Sequence, residues 1–507
     1  MATLSKLAVS TLAVLSLISS SCIAVAVPAP GQSTQQVLDG DAAFTEYRVP
    51  EYPEHAVRIR KQNDDICNAG SSQYTGWIDN GGKHIFFWYV ESLNDPAKDP
   101  INLWMTGGPG CSGLIGMMME LGPCLINDNG TGTYRNPYTW TSNASVIFID
   151  QPAGTGFSYV DDDTEMPGDS FAAAADTYIF LRIMMTAFPH LRSLPLHISG
   201  ESYGGHYVPT VAAEIVRANA IETRYGGDII IPLRSVFIGN GFVSPLDITF
   251  GYYEMLCTTS PGVPSPIFNS TRCDKIAEAM PRCMYLHDAC YDYPDPILCH
   301  AADHFCSSEI RAWYDNESGA GGRDPFDITR VCEVDQLCYL EAVHVENYMN
   351  TAAVWSALAI PAAVSNFSIL SIDVHEHFME GNDMYVNTAK EVRFLLHSGI
   401  DVLIYNGNLD LACNTPGNLR WANALSWEGQ AAFSSTPMKD WYAEKKDGVF
   451  KAGSMKEVVW QGPGEKRARF SFVTFDNSGH MVPRDQPEAS QQMMLTWMAG
   501  GEFKTSQ

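Results

Sequence analysis

The 507 residues carry 32 Lys and Arg against 58 Asp and Glu, a formal charge of −26, which weighs against nucleic acid or an anionic membrane as a partner. The length is ample for a large core, and one α/β domain with an insertion fits it as well as several smaller units. Beyond the N-terminus no uninterrupted apolar run approaches the length of a membrane span.

Lys6, the apolar stretch Leu7 to Ile18 and the small residues ending at Ala26 form the pattern of a secretory signal, so residues 1–26 are expected to be removed. The tail from Gly501 to Gln507 has neither an apolar anchor nor a retention tetrapeptide. A secreted protein is expected, with a vacuolar one as the alternative. Residues 27–64 are polar and without sustained period, and are expected to be a pro-segment or N-terminal arm. The basic run Arg58-Ile59-Arg60-Lys61 is a candidate processing site.

Short β-like runs follow at His84–Val90, Ile101–Met105 and Val146–Asp150. A helical stretch, Ser170–Phe188, leads to an apolar strand ending near Ile198, and Val208–Asn219 reads as a helix. Ser235–Gly241 is another buried strand. A cysteine-rich segment then interrupts the rhythm until about Tyr385, after which a helix (Val392–His397) and two strands (Val402–Tyr405, Phe470–Phe475) resume it. Such alternation predicts a mostly parallel central sheet with helices on both faces. The expected α/β core comprises residues 65–243 and 386–507, with a cap subdomain inserted at 244–385.

Twelve of the thirteen cysteines lie beyond the signal, and eight crowd between Cys257 and Cys338. In an exported chain without paired C-x-x-C spacing, disulfides stapling a segment with a small core of its own are favoured over a metal. Sequons at Asn129, Asn143, Asn269, Asn316 and Asn366 mark expected glycosylated surface.

Gly200-Glu201-Ser202-Tyr203-Gly204 has the form of a nucleophile elbow, a strand-to-helix turn that lifts a serine hydroxyl clear of the sheet. The short pattern arises by chance in chains of this length, so other parts are needed. A serine needs a base and an acid downstream, each after a strand. Asp410 follows Val402–Tyr405 and His480 follows Phe470–Phe475. Asp401, Asp476 or Asp485 remain alternatives for orienting the histidine. Thr106-Gly107-Gly108-Pro109-Gly110 exposes backbone N–H groups after a strand, so Gly108 and Tyr203 are the expected oxyanion donors.

Trp104 to Ser112, Glu120-Leu121-Gly122-Pro123, Asp150-Gln151-Pro152, Gly156 to Tyr159, Gly200 to Tyr203, Ile238 to Gly241 and Gly479 to Pro483 together resemble the serine carboxypeptidase family, whose fold is that of the α/β-hydrolases. The likeness runs from about Gln73 to Gly500. It implies Ser202 as nucleophile, His480 as base and acid, and Asp410 as the group that orients it. It also sets Trp104, Thr106, Gly107, Glu120, Glu201, Cys413 and Met481 at the substrate. The resemblance further implies that Glu120 and Glu201 share a proton and bind the free carboxylate of a peptide, which predicts activity favoured at acidic pH. The family usually has Asn where this chain has Thr106, and often Asp where it has Asn408. The same resemblance suggests disulfides Cys257–Cys273, Cys283–Cys306, Cys290–Cys299 and Cys332–Cys338. Cys67 and Cys124 are left to bridge each other, Cys413 is free, and Cys111 lacks its usual partner because Ser365 stands there. No metal or organic cofactor is implied; the expected partners are peptide or protein C-termini. An acyltransferase of the same family and a non-catalytic binding glycoprotein are the rival readings.

Overall fold

The computed structural model describes residues 33–39, 42–162, 164–227, 229–462 and 467–506. The expected signal peptide and its cut after Ala26 lie outside them. Sixteen strands are described: β1 Ser33–Asp39, β2 Ala42–Arg48, β3 His55–Gln62, β4 Gln73–Asn80, β5 Lys83–Val90, β6 Ile101–Met105, β7 Cys124–Ile126, β8 Thr133–Arg135, β9 Ser145–Ile149, β10 Tyr159–Val160, β11 Leu196–Glu201, β12 Leu233–Gly239, β13 Asp401–Gly407, β14 Lys439–Lys445, β15 Gly448–Gln461 and β16 Arg467–Phe475.

The main sheet runs β1-β2-β3-β4-β5-β9-β6-β11-β12-β13-β16-β15-β14. Its centre, β9-β6-β11-β12-β13-β16, is parallel. Every residue of β6, β9, β11 and β13 is buried, because helices cover both faces. Parallel strands in that position read as unbroken apolar runs rather than alternating ones. Two large apolar clusters fill the two faces.

Residues 42–62, expected as part of a pro-segment or arm, form β2 and β3 of this sheet. The basic run lies inside β3. Arg58 pairs with Asp79 across β4, at 2.5 Å from Nε and 2.9 Å from the other guanidinium nitrogen, and its guanidinium stacks over Trp77. These partners lie about twenty residues downstream, which is why a local pattern did not show the strand.

Between β12 and β13 the chain makes a helical insertion that includes α1 Pro245–Cys257, α2 Ser270–Asp292 and α3 Pro296–Cys306. Disulfides Cys257–Cys273, Cys283–Cys306, Cys290–Cys299 and Cys332–Cys338 lie within it, and Cys67–Cys124 ties the sheet region. The insertion has its own apolar cluster, built on Ile248, Met255, Leu256, Ile276 and Tyr314. Leu411, beside Asp410, is part of that cluster, so the insertion packs directly on a loop of the sheet.

Candidate active site

Loops after β6, β11, β12, β13 and β16 converge at the C-terminal edge of the parallel strands, where open α/β sheets place their sites. β11 ends at Glu201 and the next helix, Gly204–Tyr225, starts three residues later. Ser202 lies in that turn with φ +63°, a left-handed conformation that costs about 1–2 kcal/mol for a residue bearing a Cβ. Its surroundings hold it there. Ser202 N donates to the carbonyls of Gly239 and Asn240, both at 3.1 Å, and its own carbonyl accepts from Phe242 N at 2.8 Å. A Cβ on Gly200 would lie 2.5 Å from Met105 O, and one on Gly205 would lie 2.6 Å from Phe242 N, so both positions must stay bare. Pro209, inside the helix, has no N–H for the Gly205 carbonyl; Thr388 Oγ1 donates to it instead, at 2.7 Å.

Asp410 is completely buried, and its Oδ2 accepts from His480 Nδ1 at 2.8 Å, Asn240 Nδ2 at 2.7 Å and Cys413 N at 3.2 Å. A carboxylate at Nδ1 fixes the tautomer with the proton on that nitrogen, leaving Nε2 as the basic atom. Burial works against a charged His480, yet the charge and hydrogen bond of Asp410 outweigh it and Glu120 adds to them, so its pKa is raised. Asp401 instead accepts from Arg469 N, Asp476 from Asn408 Nδ2, and Asp485 from Gly479 N. Of the four candidate acids, Asp410 is the one bonded to the imidazole.

A segment of the insertion clasps both loops. Pro325 O accepts from Leu411 N and Ala412 N at 3.1 and 3.0 Å, Ile328 N donates to Leu409 O, and Phe326 O accepts from His480 N at 2.8 Å. The Phe326 ring lies 5.1 Å from the imidazole and shields it.

Gly107 packs against the elbow, and among the described residues neither Gly108 N nor Tyr203 N has a hydrogen-bond acceptor. Two such amides beside a serine suit a developing oxyanion. The Tyr203 ring is buried, with its hydroxyl donating to Asp383 at 2.7 Å, which pins the residue whose N–H is in question.

Glu201 and Glu120, the latter ending a wide helical turn Gly116–Glu120, are each 2 % exposed. Both pKa values are raised, mainly by burial; for Glu201 the facing Glu120 and Asp410 charges add to it. No donor reaches either Glu120 oxygen. A proton between the two carboxyls would supply one and would remove a like-charge pair from a dry site. Trp104 Nε1 donates to Thr106 Oγ1 at 3.0 Å, so the Thr106 hydroxyl proton is left for another acceptor.

Thr106, Gly107, Gly108, Glu201, Ser202, His480 and Met481 line one cavity of about 140 Å³; Trp104 lies behind Thr106 and Glu120 behind Glu201. Free, buried Cys111 also lines it, its thiol pushed up to about 12 by burial. The Cys413 thiol meets the Ser202 hydroxyl, and burial followed by the Asp410 charge raises its pKa, so it is neutral. Among the described residues two groups of side chains have metal-like spacing, but the Cys283 and Cys306 sulfurs beside His287 are bonded to each other, and Asp410 and His480 beside Cys413 are hydrogen-bonded to each other.

Several residues at the site were not singled out from the sequence, among them Phe326, His375, Tyr339 and Asn240. Tyr339 lines the cavity with a buried, unpartnered hydroxyl, and nothing local marks it. Asn240 has φ +40°, and holds both Asp410 and, through Oδ1, Gly407 N at 3.1 Å. Its presence in Ile238-Gly239-Asn240-Gly241 after a strand was the available signal. Asn240→Ala removes a donor from a buried carboxylate and is expected to lower kcat roughly tenfold to a hundredfold. Steady-state kinetics checks this, and a kcat within twofold of the parent would remove Asn240 from the machinery.

The model of the serine carboxypeptidase family matches residues 65–500. Carboxypeptidase Y of Candida albicans is 36% identical over 477 residues, covering 94% of this chain and 81% of the relative. A vacuolar serine-type carboxypeptidase of Saccharomyces cerevisiae is 37% identical over 480 residues, covering 92% and 89%. The crystal structure of Kex1(delta)P, a prohormone-processing carboxypeptidase from Saccharomyces cerevisiae, superposes with TM-score 0.67 at 23% identity over 88% of this chain and 91% of that one, and shares its fold. With strand order, elbow and buried acid–imidazole pair all in agreement, the chain belongs to the serine carboxypeptidase family.

Proposed function

We propose that this carboxypeptidase acts through Ser202, His480 and Asp410, and that the protonated pair Glu120–Glu201 makes it choose free C-termini at acidic pH. Ser202 Oγ attacks the last peptide carbonyl while His480 Nε2 takes its proton; the oxyanion is received by the N–H groups of Gly108 and Tyr203. His480 then gives the proton to the leaving amine, and water repeats the sequence on the acyl-enzyme. The observation that carries the choice of substrate is a buried carboxyl pair beside the nucleophile. A peptide carboxylate can accept from the pair's proton and from the Thr106 hydroxyl, which Trp104 orients.

The signs of the two titrations differ. His480 acts as a base only when neutral, so kcat falls as pH drops through its raised pKa. The glutamate pair binds only while protonated, so KM climbs as pH rises through its raised values. Above them KM is expected to rise about tenfold per pH unit, as for one lost proton. Kinetics across pH on a peptide and its C-terminal amide tests this: the rise belongs to the free acid and is blunted in Glu201→Gln. Equal cleavage of acid and amide at every pH would falsify the clamp. An acyltransferase would show itself by ester or amide products in place of free amino acid.

The disulfides support an exported protein, secreted or vacuolar. Asn129, Asn269, Asn316 and Asn366 are exposed and Asn143 is half-buried, which supports glycans at the first four. At Asn129 the sequon hydroxyl of Thr131 already bonds the Asn Oδ1, at 2.6 Å.

A further inference from the structure

Beside the catalytic cavity lies a second one of about 230 Å³, between the inserted helices and the sheet. His375 lines both. Phe242, whose N–H bonds the Ser202 carbonyl, and Ala412, between Asp410 and Cys413, are also in its wall. The two cavities therefore share the His375 side chain, and the wall of the second is built on residues adjoining the Ser202 and Asp410 loops.

We infer that the second cavity takes the side chain of the residue whose carbonyl Ser202 attacks, and that Asp303 selects a basic one, lysine or arginine. This rests on the function proposed above: with the free carboxylate at Glu120 and Glu201, the terminal residue fills the catalytic cavity. The residue before it then leaves on the other side of Ser202, past Phe242 and Ala412.

The charges in the wall decide what is accepted. Asp303 accepts from Ser307 Oγ at 3.2 Å and feels the charge of Arg311, but among the described residues no basic side chain forms a salt bridge with it. Arg311 also lines the cavity, but Asp315 holds its guanidinium at 2.7 Å. His287 is 3 % exposed, and burial lowers its pKa and that of His375, so neither supplies a cation near neutrality. Burial keeps the Tyr252 and Tyr385 hydroxyls protonated. Asp303 and Asp315 thus share the one guanidinium of Arg311, and the excess charge is negative. His287 Nδ1 is buried without a partner, a second acceptor for an N–H-bearing side chain. Phe242, Ile248, Ile310, Met379 and Met384 supply apolar wall for the methylene stem that lysine and arginine carry below their charge. Glutamate there would meet Asp303 with like charge.

The test uses blocked dipeptides with one fixed C-terminal residue and Lys, Leu or Glu before it. In the wild-type protein kcat/KM should fall in the order Lys, Leu, Glu. Asp303→Asn should lower the Lys-to-Glu ratio roughly tenfold to a hundredfold, the worth of a charge-assisted hydrogen bond, and Asp303→Glu should restore part of it. Phosphonofluoridates bearing a lysyl or glutamyl side chain give a reading independent of turnover, through the rate at which Ser202 is modified. If no dipeptide is hydrolysed yet the lysyl reagent reacts faster, the carboxypeptidase reading falls and the pocket stands. If dipeptides are hydrolysed but neither substrates nor reagents discriminate by charge, the pocket inference is overturned alone. Should Asp303→Asn fail to fold, the wild-type substrate and reagent series decide the matter.

Discussion

Ser202→Ala is expected to lower kcat by roughly a millionfold, the loss seen when one member of a serine–histidine pair is removed from enzymes of this chemistry. The effect is confined to chemistry because the variant keeps what holds the elbow. Alanine has the same Cβ in the same left-handed conformation, and the hydrogen bonds from Ser202 N and to its carbonyl are backbone bonds that survive the change. The hydroxyl's neighbour is the neutral Cys413 thiol, so no charged group loses a partner. Thermal unfolding should therefore stay close to the parent's. His480→Ala added to Ser202→Ala should cost almost nothing more, since the two act in one proton transfer. Asp410→Asn should cost less, about ten-thousandfold. Its carbonyl oxygen can take the place of Oδ2, which already accepts from His480, Asn240 and Cys413 N, but the neutral amide no longer stabilises the imidazolium. Steady-state kinetics normalised to the concentration of folded protein measures all three. A Ser202→Ala protein that retained about 1% of the parent kcat would set the nucleophile elsewhere.

Which parts of this site could be read from the chain follows from how locally each is encoded. β6, β9, β11, β12, β13 and β16 stood out because strands buried on both faces are continuous apolar runs, and the residues that follow them are the ones that converge. β2, β3 and the hairpin β14–β15 did not. β15 is exposed or half-buried at both ends and buried only in its middle, and β3 contains Arg58 and Lys61, whose charges make sense only beside Asp79 and Tyr74 of β4. The acid could not be chosen among Asp401, Asp410, Asp476 and Asp485 without the strand order. Asp401 begins β13, at the far end of the sheet from His480, and Asp485 faces the Gly479 amide and Arg484. The clasp of Pro325, Phe326 and Ile328 on the loops of Asp410 and His480 joins residues some 80 to 155 positions apart. No spacing rule reaches that far.

Gly107→Ala is expected to cost at least a thousandfold in kcat although residue 107 takes part in no proton transfer. The cost is steric. A Cβ there would lie 2.3 Å from Tyr203 N, 2.6 Å from Ser202 Cβ and 2.7 Å from Glu201 O. All three atoms belong to the elbow, and two are backbone, so no side chain can swing away to relieve the contact. The glycine loop and the elbow must separate by about 1 Å, a displacement that alone costs on the order of a hundredfold when it falls on reacting groups. The same movement draws the Tyr203 amide away from Gly108, and losing one oxyanion donor costs a further hundredfold to thousandfold in comparable sites, by order of magnitude. Gly204→Ala is the control. Its Cβ would meet Met105 O at 3.2 Å, a contact relieved by a few tenths of an ångström. It should keep most of its activity, while Gly107→Ala should also blunt the modification of Ser202 by phosphonofluoridates, since that reaction uses the same oxyanion donors. A folded Gly107→Ala protein with kcat within tenfold of the parent would mean that the amides of Gly108 and Tyr203 do not receive the oxyanion.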